Sequence, residues 1–222
     1  MAFKTDDLKR MVSERTMIMP PKPKFTKEEI ISAALELVSQ NGIEALTSRD
    51  LGKKLGSSAR PIFTVFKGME EVQQEVKRAA MARFDRFAEK AVDYTPAFKQ
   101  FGMQMVLFAN EEPKLFQLLF MTENREAKSF DQVLFDLGTT GQLCIDVIMN
   151  DYGLNRQDAI LLFRHLWVHT FGIGALCASG TCRFSEAEVN EMLGQDFMAM
   201  LMLIKSGNFK NTTVKPKLKP KE

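Results

Sequence analysis

Apolar residues recur at helical spacing through most of the chain, and polar punctuation cuts that pattern into segments. Ile30, Ala33, Ala34, Leu37 and Val38 form the first stripe. Thr26 with Glu29 three residues on is a capping-box signature. Phe25 and Ile30 are spaced for a hydrophobic staple, and Asn41-Gly42 marks the stop. A shorter stripe, Leu51 and Leu55, follows Thr47 and ends at Gly56. The next segment reads as a third helix: Ser58 caps it, Ala59-Arg60-Pro61 form its first turn, and Ile62, Phe63 and Phe66 follow. Proline is tolerated in that turn because the N–H groups there have no intrahelical partner. A long pattern then runs from about Glu70 to Val92 and closes at Tyr94-Thr95-Pro96. A helix of about 22 residues spans about 33 Å. Beyond it, apolar segments are punctuated by Pro113, Asn124 and the GTTG at 138–141. The longest cover 155–179 and 185–206, the latter opened by a second capping box, Ser185 with Glu188. There is no alternating strand pattern bounded by hairpin signals and no internal repeat, so the expected class is all-α.

Two short helices joined by a glycine turn, with a supporting helix before them, make a helix-turn-helix. The second helix of such a pair enters the DNA major groove by its N-terminal turn, and Arg60 stands where a base-reading residue belongs.

Charge and composition bear this out in outline. Hydrophobic residues make up 45% of the chain, enough for a core and too many for a disordered chain. The net charge of +2 hides an asymmetry. Residues 1–72 carry 12 Lys/Arg against 10 Asp/Glu, residues 73–204 carry 12 against 17, and residues 205–222 carry 6 against 1. Basic ends on an acidic middle permit nucleic-acid contact near the N-terminus. No signal peptide pattern opens the chain, and no apolar run is expected to reach membrane-spanning length. Cys144, Cys177 and Cys182 form no CxxC pair and read as reduced thiols, so a cytoplasmic protein without membrane association is expected.

The segment KFTKEEIISAALELVSQNGIEALTSRDLGKKLGSSARPIFTVFKGMEEV resembles the DNA-binding head of the TetR/AcrR family of transcriptional regulators. The matching features are the Asn-Gly stop, Leu46-Thr47 opening helix two, Asp50-Leu51, Leu55-Gly56 and Ser58. Ile62-Phe63 stand where the family has Leu-Tyr, followed by Phe66-Lys67 and Glu70-Glu71-Val72. The resemblance implies a three-helix head on an all-helical ligand-binding and dimerisation body. It further implies a homodimer on a near-palindromic double-stranded operator, usually a repressor released by a small molecule. Many members have Gly-Thr or Ala-Thr where this chain has Arg60-Pro61, so the operator sequence does not transfer. LWVHTFGIGAL at 166–176 is similar to a Trp…His-Gly stretch of one C-terminal subgroup, but the residue after His169 is Thr170.

The expected DNA contacts are Thr47, Ser58, Ala59, Arg60, Pro61, Phe63, Thr64 and Lys67, with Lys24 in a basic arm. An arginine fork suits guanine O6 and N7, while Phe63, lacking a hydroxyl, is left with the sugar-phosphate wall, a base methyl or partial burial. Met103, Leu107, Phe120, Cys144, His165, Trp167 and His169 are candidate linings of a ligand pocket in a body rich in Met and Phe. His165 and His169, four apart, also suit a metal pair with Cys144 or Cys177, but pocket or interface residues are the stronger reading, and neither metal nor cofactor is expected. Phe171, Gly172, Gly174, Ala175, Met198 and Leu201 are candidates for a dimer interface, where small residues would let helices approach closely. No nucleophile with an acid partner at motif spacing points to an enzyme.

The expected organisation is a flexible basic arm over 1–24, a helix-turn-helix domain over 25–70, a helical ligand-binding and dimerisation domain over 71–207, and a Lys/Pro tail over 208–222. Two other readings stand beside the regulator: a helical small-molecule- or metal-binding protein without DNA regulation, and a constitutive DNA binder without ligand.

Overall fold

The computed structural model describes residues 23–122 and 129–211. Most of the arm expected over 1–24, the Asn124 punctuation and most of the tail expected over 208–222 lie outside the described residues. Among the described residues the chain forms nine α-helices and no strand.

Helix α1, Lys27–Asn41, begins at the expected capping box. The Thr26 N–H donates to Glu29 Oε2 at 2.8 Å, and the Glu29 N–H donates to Thr26 Oγ1 at 3.1 Å. Two N–H groups with no intrahelical partner are thereby satisfied. Ile30, Ala34 and Val38 form its buried face, and Gly42 ends it at φ +84°. Helix α2, Ser48–Lys54, is capped by Thr47 and buries Leu51. Helix α3, Met69–Glu89, carries Val72, Val76, Ala80, Phe84 and Ala88 on one buried face, each four residues from the last. It stops short of the expected Val92, because Lys90–Asp93 tighten into a 3-10 turn before the cis Thr95–Pro96 bond.

The body comprises α4 (Ala97–Glu111), α5 (Pro113–Phe116), α6 (Phe130–Asp136), α7 (Gly138–Tyr152), α8 (Arg156–Ala178) and α9 (Glu186–Lys205). A π-helical turn, Gln117–Met121, follows α5. Helix α8 is the hub, packed on α4, α5, α7 and α9. By length and composition α8 alone among the described helices could cross a membrane, contrary to the expectation that no run approaches that length. It sits instead at the centre of the bundle, with Leu162, Phe163, Leu166, Ile173 and Ala178 buried.

Head and body share one continuous core. Helix α1 packs on α3 and on α5. Where α4 meets α5, the buried carboxylate of Glu112 accepts the Ser39 hydroxyl at 2.6 Å and pairs with Arg83. Asn208–Asn211 form a further 3-10 turn, and Phe209 lies against the His165 ring at 5.4 Å, so the chain is ordered past the point where the tail was expected to begin.

Candidate functional site

The segment expected to be a third α-helix is a short 3-10 turn, Ile62–Thr64. Its hydrogen bonds span three residues: Ile62 to Ala59, Phe63 to Arg60, Thr64 to Pro61 and Val65 to Ile62; the Phe66 N–H reaches back four, to Ile62. The Arg60-Pro61 step explains the departure. Proline supplies no N–H and disfavours the α conformation at the residue before it. The residue flanking the turn is Pro61, which makes no side-chain cap, so the capping role expected of Ser58 is not realised.

Tightening has a useful consequence. Side chains three apart eclipse in a 3-10 turn, which sends Arg60 and Phe63 out together. Both are exposed, Phe63 by 47%, while Ile62 between them is fully buried. No hydrogen bond or ion pair engages the Arg60 guanidinium among the described residues. The turn is held close to α2 by a residue the sequence reading passed over, Gly52. A Cβ there would lie 2.9 Å from Ala59 N and 2.9 Å from Ser58 C. Gly56, at φ +62°, makes the corner, and the Ser57 N–H donates to Gly52 O at 2.9 Å.

Two of the hydroxyls expected to contact DNA are already engaged. Thr64 Oγ1 donates to Pro61 O at 2.6 Å. Thr47 Oγ1 donates to Asp50 Oδ2 at 2.6 Å and accepts the Asp50 N–H at 3.1 Å. A hydroxyl has one proton, and a phosphate oxygen needs a donor. The donors left on this face are Arg60, Ser58, Lys67 and Lys24, all exposed. Lys24 Nζ donates to Ser57 Oγ at 3.0 Å, which leaves two of its protons. Lys67 is positioned by its backbone, whose N–H donates to Glu71 Oε2 at 2.8 Å.

In the body, α3, α4, α7, α8 and α9 enclose a small cavity of about 60 Å³ walled mainly by aromatic and aliphatic side chains. Of the candidate pocket residues, Cys144 and Trp167 line it, with Phe98, Lys99, Phe101, Met105 and Thr170. Burial pushes the Cys144 thiol well above the usual range, so it stays protonated. Met103 and Leu107 instead line a separate groove with Gln104, Phe184 and Val189. Phe120 packs edge-on against Phe84 at 5.2 Å. His165 meets Phe209, and His169 Nδ1 pairs with Asp196 on α9. Among the described residues no group of three or more His, Cys, Asp or Glu converges on a point.

The small residues of α8 divide between two faces. Gly174 is buried, and a Cβ on it would lie 2.7 Å from Phe116 Cζ, so it serves the interior and not the dimer contact expected of it. Phe171 also turns inward, stacked on Trp167 at 5.3 Å. Gly172 faces open space, flanked one turn either way by exposed Val168 and Leu176. Met198 and Met202 are exposed on α9, while Ala175 and Leu201 are partly buried against the core.

The head thus carries α2 followed by a 3-10 turn, where a helix-turn-helix has its second helix, and it stands on an all-α body. Residues 30–76 match the model of the family described as bacterial regulatory proteins, tetR family. A crystal structure of a TetR-like transcriptional regulator from Rhodococcus sp. RHA1 has a similar fold, with a TM-score of 0.56 at 14% identity, covering 81% of this chain and 95% of that one. No curated protein matches the chain. The family match is therefore one of the head, and the likeness of the body to that regulator is one of fold.

Proposed function

We propose that the protein is a repressor that binds a near-palindromic operator as a cytoplasmic homodimer and releases it when a small, apolar ligand enters the body. The head over 25–70 is the reading unit, and the body over 71–207 is the dimerising and sensing unit. The observation that carries this is the unengaged Arg60 projecting with Phe63 from a turn pinned against α2 by Gly52. Arg60 supplies base choice through a guanidinium fork. Lys67, Lys24 and Ser58 supply the phosphate contacts that make affinity depend on salt. The exposed face of Val168, Gly172, Leu176, Met198 and Met202 supports pairing with a second copy through α8 and α9. The cavity, beside Phe84 and Ala88 of α3, supports a ligand acting on the helix that leads to the head. The tightness of that cavity favours a second reading, a constitutive DNA binder, which a thermal-shift screen without any stabilising ligand would select.

The test is fluorescence anisotropy with duplex selected from random sequence against scrambled duplex, over a salt series. The expected preference is about a thousandfold or more. Selection that enriches no sequence overturns the DNA reading.

A further inference from the structure

We propose that the body cavity takes a small apolar monocarboxylic acid, either an arylalkanoic acid or a short aliphatic one. The assignment rests on the reading of that cavity as an effector site and names the chemistry of its ligand.

The walls decide the body of the ligand. Phe84, Phe98, Phe101, Met105, Phe163 and Phe197 present ring and thioether surface. The space is tight, about 60 Å³. An engineered cavity of about 150 Å³ admits benzene, so the molecule must be small and the flexible Met105 must give.

The polar groups decide the head of the ligand. The hydroxyls in the wall have their protons engaged: Thr170 donates to Leu166 O at 2.8 Å, and Thr140 donates to Asp85 Oδ1 at 2.7 Å. Both can therefore only accept. Two strong donors remain. Trp167 Nε1 is buried with no acceptor among the described residues. Lys99, partly exposed, lines the cavity, and no carboxylate lies within ion-pair distance of its ammonium among the described residues. No acidic side chain lines the cavity; Asp85 stands behind Thr140. A ligand that brings acceptors and negative charge pairs with Lys99, and with Trp167 Nε1 once the wall gives way, whereas an amine meets Lys99 with like charge. Lys99 is hydrated in the empty protein, so the gain from the charge is modest, about tenfold.

The chain holds one tryptophan, and it is the one in the cavity wall, so intrinsic fluorescence reports the site directly. The experiment titrates the full chain with phenylacetate and hexanoate, and with their neutral partners phenylacetamide and hexanamide. At least one acid is expected to give a saturable change and to bind about tenfold tighter than its amide. Lys99→Met, checked for an unchanged melting curve, brings the pair within twofold, and Lys99→Arg restores the preference. Equal binding of acid and amide, a preference that survives Lys99→Met, or no saturable binding of either acid overturns the assignment. Operator duplex added to the same titrations separates the two readings. Acid that binds without releasing DNA sinks the effector reading and leaves the ligand class standing. Release by an amide with no acid binding sinks the ligand class and leaves the effector reading.

Discussion

Ser39, on the first helix of the head, donates a 2.6 Å hydrogen bond to the buried carboxylate of Glu112, where α4 of the body gives way to α5. Arg83 of α3 holds the other oxygen of the same carboxylate. One buried acid thus joins the supporting helix of the head, the connecting helix and the body. Glu112→Ala leaves Arg83 and Ser39 without their acceptor. Because Arg83 is partly exposed and regains water, the expected loss is about 1–3 kcal/mol, below that of a fully buried pair. Chemical denaturation of Glu112→Ala, Ser39→Ala and the double variant checks this: coupling between the two sites above about 0.5 kcal/mol is expected, and strict additivity would show that the bond contributes nothing.

Arg60 and Lys67 should fail differently on DNA. Arg60→Ala lowers the preference for the selected duplex, with little change on scrambled DNA. Lys67→Ala weakens both alike and reduces the salt slope by about 1. Thr64→Val leaves affinity within about twofold, because its proton already goes to Pro61 O. Anisotropy over a salt series reads all three, and a large loss in Thr64→Val would show that the hydroxyl is redirected on binding.

Three glycines should respond to alanine in distinct ways. At Gly52 the new Cβ meets backbone at 2.9 Å, and at Gly174 it meets the Phe116 ring at 2.7 Å. Each substitution is expected to cost about 1–3 kcal/mol, with Gly52→Ala also impairing DNA binding by displacing the turn. Gly172 has nothing within 4 Å, so Gly172→Ala gains helix propensity, up to about 1 kcal/mol. Thermal melts at one protein concentration rank the three.

A charge on the exposed face of α8 and α9 tests pairing. Met202→Glu is expected to shift the chain from dimer to monomer in sedimentation velocity while leaving its helical signal unchanged, because Met202 is 64% exposed and makes little of the core. An unchanged sedimentation coefficient would place the contact elsewhere.

Acid should loosen the tie between α1 and α3. Lys27 Nζ donates to Glu75 Oε1 at 2.7 Å, and with Arg78 it holds the Glu75 carboxyl below its ordinary value near 4.5. A lowered folded-state value means the contribution is complete above about pH 4.5 and is lost as pH falls through the folded value. Wild type should therefore lose more stability than Glu75→Gln between pH 6 and pH 3; parallel curves would remove Glu75 from the account.

The boundaries of the helices were the most legible part of the chain. Thr26 with Glu29 and Ser185 with Glu188 cap where the pattern predicts, because capping is settled by neighbours three residues apart. The exposure of Arg60 and Phe63 agrees with the pattern, whereas the hydroxyl protons of Thr47 and Thr64 are engaged within the head, since a spacing pattern does not say where a hydroxyl proton goes. Gly52 carried a weak signal, a glycine inside a short helix, whose reason is a backbone 6 residues away by sequence.

What the sequence by itself determined is what local chemistry decides: an all-α chain, its caps and stops, and a head whose residues 30–76 match the tetR family model. Only the tertiary structure decided which residues meet. It sent Gly174 and Phe171 inward to Phe116 and Trp167, left Gly172 facing out, and split the expected pocket residues among a cavity, a groove and three ring or ion-pair contacts. The reason is geometric. Helical periodicity assigns a residue to a face, but which face another helix covers depends on packing between segments far apart in the chain.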